Sequence, residues 1–73
     1  MKKIELWMEG FATNGERSDA NKIGEYIAES FDDAIKQYII ENANVEIYKY
    51  GANYSNWGMR IFDNEVDARK SFG

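Results

Sequence analysis

Carboxylates are the reactive groups this chain has in greatest supply. Thirteen Asp and Glu side chains stand against nine Lys and Arg, and there is no His and no Cys. Composition therefore excludes imidazole bases, thiolate nucleophiles and disulfides, and with them nearly every zinc site. Glu5, Glu9, Glu25 and Glu29 could be drawn together as acid and base for glycoside hydrolysis. A chain of 73 residues has no walls to desolvate such a pair and separate its pKa values. Asp19, Asn21 and Gly24 fall at positions one, three and six of a calcium-binding loop. Ile23 then occupies a ligand position and Ser30 stands where the bidentate Glu belongs, so that reading fails. Gly10 and Gly15 precede neither a Lys-Ser pair nor a strong helix start, which leaves no phosphate-cradling turn. Nothing marks the Lys49 amine as buried. The expected activity is binding, not catalysis, with no cofactor and no metal.

Two groups of residues carry that expectation. Glu5 and Glu9 share a face of one strand, Glu25 and Glu29 a face of its neighbour, and Asp32 and Asp33 sit at the adjoining helix start. At strand and helix spacing they would span roughly 15–20 Å, a negative surface suited to a protein groove built for phosphates. Trp7 lies between Glu5 and Glu9 and opposite Ile4, Leu6 and Met8, which makes it the candidate anchor of such an interface. The alternative surface is aromatic. Tyr48, Tyr50, Tyr54 and Trp57 fall within ten residues beside Lys49 and Arg60, a set able to stack bases or a nucleotide. Both groups also have a plainer explanation: exposed acids keep a small protein soluble and blunt sheet edges, and half of the aromatics in alternating strands belong to the core.

The elements that must position these residues follow from periodicity. Ile4, Leu6 and Met8 alternate with Glu5, Trp7 and Glu9 in a first strand, which Phe11 extends. Ala12 to Ala20 is a polar loop around the turn dipeptide Asn14-Gly15. A second strand, Asn21 to Glu29, pairs antiparallel with the first and places Ile23, Glu25, Ile27 and Glu29 on one face. Ser30 caps a helix, with Asp33 closing a capping box and Asp32 at the positive end of the dipole. Phe31, Ala34, Ile35, Tyr38 and Ile39 form its buried stripe, and Asn42 or Asn44 ends it. Val45 to Tyr50 is a third strand, Gly51 to Asn56 a polar turn, and Trp57 to Phe62 a fourth strand. Asp63 or Asn64 caps a short last helix, Glu65 to Phe72. The expected fold is one α+β domain over residues 1–73, ordered β-β-α-β-β-α. Its antiparallel sheet packs against one main helix plus the short C-terminal one, with both helices on one face.

Size and charge bound the rest. Folding at 73 residues hides only about 60–65% of the unfolded surface, so dimerisation is plausible for stability alone. No apolar run approaches a membrane span, and Met-Lys-Lys is followed by Ile4, Glu5 and Leu6, not by a signal sequence. A soluble, cytoplasmic protein with no membrane partner is expected. The net charge of -4 is uneven: residues 1–46 hold ten acids against five bases, and the remainder carries one positive charge in excess. Such a field repels phosphate backbones, so direct nonspecific nucleic-acid binding is not expected, and it attracts basic partners.

Two stretches carry a resemblance. Trp7-Met-Glu-Gly-Phe, with the following Asn-Gly-Glu and Gly24-Glu-Tyr, and Trp57-Gly-Met-Arg-Ile-Phe-Asp-Asn-Glu-Val-Asp-Ala-Arg-Lys-Ser-Phe-Gly73 resemble short proteins encoded by phages, prophages and mobile elements of low-GC bacteria. More weakly, the strand-Ser-Phe-Asp-Asp-Ala-helix unit is similar to the β-β-α core of small antitoxins. The resemblance implies a mobile-element setting in a bacterial host and brings no catalytic residues. In bulk properties the chain is similar to small acidic inhibitors of host defence, such as anti-CRISPR and anti-restriction proteins. The leading expectation is an inhibitor whose acidic face fills the basic groove of a host nucleic-acid-binding defence protein. A nucleotide or small-ligand binder, and an antitoxin-like or regulatory homodimer, are the alternatives.

Overall fold

The computed structural model describes residues 1–13, 16–42, 47–50, 53–56 and 59–72. Among them run β1 (Lys2–Met8), β2 (Phe11–Thr13), β3 (Glu16–Ser18), β4 (Asn21–Ala28), α1 (Phe31–Glu41), β5 (Ile47–Tyr50), β6 (Asn53–Asn56), β7 (Met59–Phe62) and α2 (Glu65–Ser71). Five strands form one antiparallel sheet in the order β4-β1-β7-β6-β5, and β2 and β3 form a separate two-stranded ribbon. The architecture is α+β.

β1 and β4 pair along their whole length, from Lys2 opposite Ala28 to Met8 opposite Asn21. The register slips between Leu6 and Trp7: Leu6 faces Gly24 while Trp7 faces Lys22, leaving Ile23 as the extra residue of a β-bulge. The bulge corrects the expected row of Ile23, Glu25, Ile27 and Glu29. Ile23 packs against the core, Ile27 is 60% exposed on the other face, and the strand ends at Ala28. Gly24 is required here, because a Cβ would stand 2.7 Å from the Tyr26 ring.

The polar segment expected as a loop between these strands is partly zipped. Phe11, Ala12 and Thr13 pair with Ser18, Arg17 and Glu16, so backbone pairing prolongs the β1–β4 hairpin beyond the break at Gly10. Asn14 and Gly15 lie outside the described residues. A Cβ on Gly10 would collide with the Ser18 carbonyl oxygen, which explains glycine at the point where the two ladders meet.

α1 begins as its sequence requires. The Ser30 side chain accepts from the Asp33 amide at 3.1 Å. The return arm of the box is displaced by one residue, since the Asp33 carboxylate accepts from the amide of Glu29. Asn42 closes the helix with its amide nitrogen on the Tyr38 carbonyl. Ala34, Ile35 and Tyr38 are buried on Ile4, Leu6, Tyr26, Ala28, Tyr54 and Ile61, with Phe31 partly buried beside them. Ile39 departs from the expected stripe: it is 39% exposed, on the side of the helix rather than under it.

Two further expectations change. Asn53 to Asn56 is strand β6, not turn, paired with β5 and β7 through Tyr54 opposite Lys49 and Ile61; burial of the Tyr54 ring outweighs the low strand preference of its Asn and Ser neighbours. Val45, Glu46, Asn44, Trp57 and Gly58 lie outside the described residues. α2 is capped by Asn64, whose side chain accepts from Asp67. It does not share a face with α1. Its Arg69 lies 5.6 Å above the Trp7 ring, its Ser71 hydroxyl donates to Glu9, and Trp7 and Glu9 point away from the Ile4 and Leu6 core.

Candidate partner-binding surface

The face of the sheet that carries Glu5 and Glu25 balances its own charge. The two glutamates stand directly opposite each other on β1 and β4. The bulge brings Lys22 onto the same face, where its ammonium lies 2.7 Å from Glu25 and 3.5 Å from Glu5. Lys3 adds a second ion pair to Glu25 at 3.5 Å. The Trp7 indole N–H donates to Glu5 at 3.0 Å, and that bond, followed by Lys22, holds the Glu5 carboxyl below its ordinary value. The hydrogen bond from Lys22 lowers Glu25 in the same way and raises Lys22 in return. Two acids and two bases thus neutralise one another across this patch.

Trp7 is not an exposed anchor. It is half-buried, with Arg69 of α2 over its ring and Phe62 beside it on β7. Glu9 is engaged in the fold: one carboxylate oxygen accepts from the Arg60 backbone amide at 2.9 Å, and the other accepts from Ser71. Glu5, Trp7 and Glu9 therefore tie β1 to β4, β7 and α2.

The turn into α1 is different. Glu29 and Asp32 are exposed there and Asp33 is half-buried. Asp32 accepts from the Tyr54 hydroxyl and has Lys49 at 3.9 Å. That hydrogen bond, with burial, pushes the Tyr54 hydroxyl up to about 12. At the far end of the helix Glu41 accepts from Tyr26 at 2.9 Å, and burial first, then Glu41, pushes Tyr26 up to about 12. From Glu29 to Glu41 there are four acids and one base, Lys36. This segment holds most of the chain's excess negative charge.

The aromatic set is split by the pleat. Lys49 and Tyr54 are opposite each other on the α1 side, the ammonium 5.7 Å from the ring centroid, and Phe31 meets Tyr54 edge-on at 5.3 Å. Tyr48, Ser55 and Arg60 form a row on the other face. Trp57 and the side chain of Tyr50 lie outside what is described. The four described residues, Tyr48, Lys49, Tyr54 and Arg60, thus do not converge on one pocket floor, and Tyr54 serves the core.

Several participants were not singled out by sequence reasoning. Lys22 was invisible as the bridge between Glu5 and Glu25, because only the bulge turns it to their face. The Tyr54–Asp32 contact links residues 22 apart in sequence and leaves no local trace. Ile40, 80% exposed, has a signal that was available: it falls outside the helix stripe. No family model, curated protein or solved structure matches this chain.

Proposed function

We propose that this chain is a non-enzymatic protein of phages or other mobile elements that binds a host nucleic-acid-binding defence protein in the bacterial cytoplasm and blocks it. The observation that supports the reading is the placement of excess negative charge. Lys3 and Lys22 answer Glu5 and Glu25 within the sheet. The segment from Glu29 to Glu41 presents four acids against Lys36, and Lys49 reaches Asp32 from β5 at 3.9 Å, which leaves a local excess of two negative charges. An acidic helix with its entry turn competes for a basic groove by charge, and the local excess steers the encounter.

The test is phage plating and plasmid transformation in host strains carrying an active CRISPR or restriction system, with and without the expressed protein. Plating efficiency restored by orders of magnitude in one such strain, and unchanged in strains lacking the system, is the expected result. Unchanged efficiency in every strain overturns the proposal. Quenching of Trp fluorescence by nucleotides in that case would direct attention to the Tyr48–Arg60 face.

A further inference from the structure

We infer that the face of the sheet opposite α1 carries a site for a nucleoside monophosphate, formed by Arg60, Ser55 and Tyr48. The guanidinium and the serine hydroxyl take the phosphate, and the tyrosine ring takes the base. The site lies apart from the helix surface proposed above and does not depend on it.

Antiparallel pairing sets Tyr48 opposite Ser55 and Ser55 opposite Arg60, so three neighbouring strands raise these side chains on one face. With strands about 4.8 Å apart, the outer two Cα atoms are about 9.5 Å apart, and two long side chains flank a short one. Ser55 is 8% exposed, and its hydroxyl forms no hydrogen bond with any described residue. A buried hydroxyl without a partner is costly, and an incoming oxygen would satisfy it.

Arg60 is exposed, and its guanidinium has no ion pair among the described residues. Lys3 and Lys22, which β4 and β1 place on the same face, are both paired with glutamates. The acid beside Arg60 on β1 is Glu9, and both of its oxygens are committed, one to the Arg60 backbone amide and one to Ser71. Glu9 thus fixes the Arg60 backbone and leaves the planar fork for an external oxyanion, which it can grip with two parallel bonds. At the other end of the row Tyr48 is 54% exposed. An aromatic ring standing on a sheet face is a platform for a base.

Charge decides between one phosphate and many. A single phosphate over Ser55 meets the guanidinium and the hydroxyl. The next phosphates of a nucleic-acid strand would run over Glu9 towards Glu5 and Glu25, or off the sheet at its β5 edge. The occupant is therefore a mononucleotide. The row gives no preference among bases, because Tyr48 offers a ring face and reads no base edge.

The experiment is an NMR titration of the labelled full chain with AMP, adenosine, inorganic phosphate and a single-stranded oligoadenylate in parallel. Expected are AMP shifts centred on Tyr48, Ser55 and Arg60, including the Arg60 side-chain Nε–H, and weaker binding as salt rises. AMP should bind more tightly than adenosine or phosphate alone. Arg60→Gln, an exposed change that keeps the backbone bond to Glu9, should weaken AMP about tenfold or more, the scale of a charge-assisted hydrogen bond. Ser55→Ala and Tyr48→Leu, each checked for a parent-like melt, should weaken it several-fold. No shift with AMP, shifts centred on α1 or on the Lys49–Tyr54 side, or unchanged affinity of Arg60→Gln would each overturn the inference. Phosphate binding as tightly as AMP would reduce the site to an adventitious ion only, and tighter binding of the oligoadenylate would replace the mononucleotide by nucleic acid. The plating assay reads α1 and this titration reads the opposite face, so the failure of one is told apart from the failure of the other.

Discussion

The two ends of the sheet are held by different forces. At the β4–β1 end, α1 lays Ala34, Ile35 and Tyr38 on Ile4, Leu6, Tyr26 and Ala28, and the strands pair over seven residues of β1. At the β6–β5 end the strands are four residues long. Their ties to the helix and its core are Tyr54, through its edge contact with Phe31 and its hydrogen bond to Asp32, the ion pair of Lys49 with Asp32, and Ile47 packed against the core cluster. The first end is stabilised mainly by apolar area, and the second by less of it together with a polar clasp at Asp32. The clasp and the proposed partner surface meet at Asp32, so the weaker end of the fold abuts the part of the molecule argued to bind.

The comparison breaks most directly at the apolar end. Ile35→Ala removes a side chain only 1% exposed and should cost about 3–4 kcal/mol in urea unfolding, a large part of what so small a domain has. Gly10→Ala, which drives a Cβ into the Ser18 carbonyl, is expected to cost about 3 kcal/mol and to lose hydrogen-exchange protection first in β2 and β3. Tyr54→Phe removes the clasp while keeping the ring. A loss of about 1–2 kcal/mol is expected, with exchange accelerated in β5 and β6 before β1 and β4. Equal acceleration at both ends would show that the clasp does not divide the sheet.

A pH series sharpens the same contrast. Glu5 and Glu25 bind protons less readily folded than unfolded, so their contribution is complete above the ordinary 4.5 and is lost as pH falls through their lower folded values. Tyr26 and Tyr54, at about 12 in place of 10.0, act in the opposite direction: their contribution holds below 10 and is lost as pH rises through about 12. The urea midpoint should be flat between about 4.5 and 10 and fall on both sides. Replacing Tyr54 by Phe should soften the alkaline limb, and Glu25→Gln the acid one. The smallest effect is expected from Ile39→Asp. A buried isoleucine there would make this change unfold the domain, but at 39% exposure a loss of about 0.5 kcal/mol or less is expected, measured as a shift in melting temperature.

Elements whose signals are local were legible in the sequence. Ser30, Phe31 and the spacing through Tyr38 dictate α1 and its start, and alternation from Ile4 to Met8 dictates β1. Elements that depend on distant partners were not. β6 exists because Tyr54 finds the core and Asp32, and the ribbon of β2 and β3 exists because backbone pairing continues past Gly10. The acidic face was read from alternation alone, which grouped Glu5 and Glu25 on one surface without fixing the register that sets them opposite each other. Alternation could not register the bulge at Ile23 that supplies Lys22 and neutralises them. The cover on Trp7 likewise comes from α2, sixty residues later in the chain.

The central claim is that α1, and not the charge-balanced sheet, is the face that acts. The most direct measurement is plating efficiency in a protected host with two variants side by side, both checked for a parent-like melt. Glu29→Lys with Ile40→Lys alters the helix face, and Glu5→Gln with Glu25→Gln alters the sheet face. Loss of protection with the helix variant and its retention with the sheet variant is the predicted result. Protection lost through the sheet variant while the helix variant remains active, or no protection by the parent chain, would contradict the account.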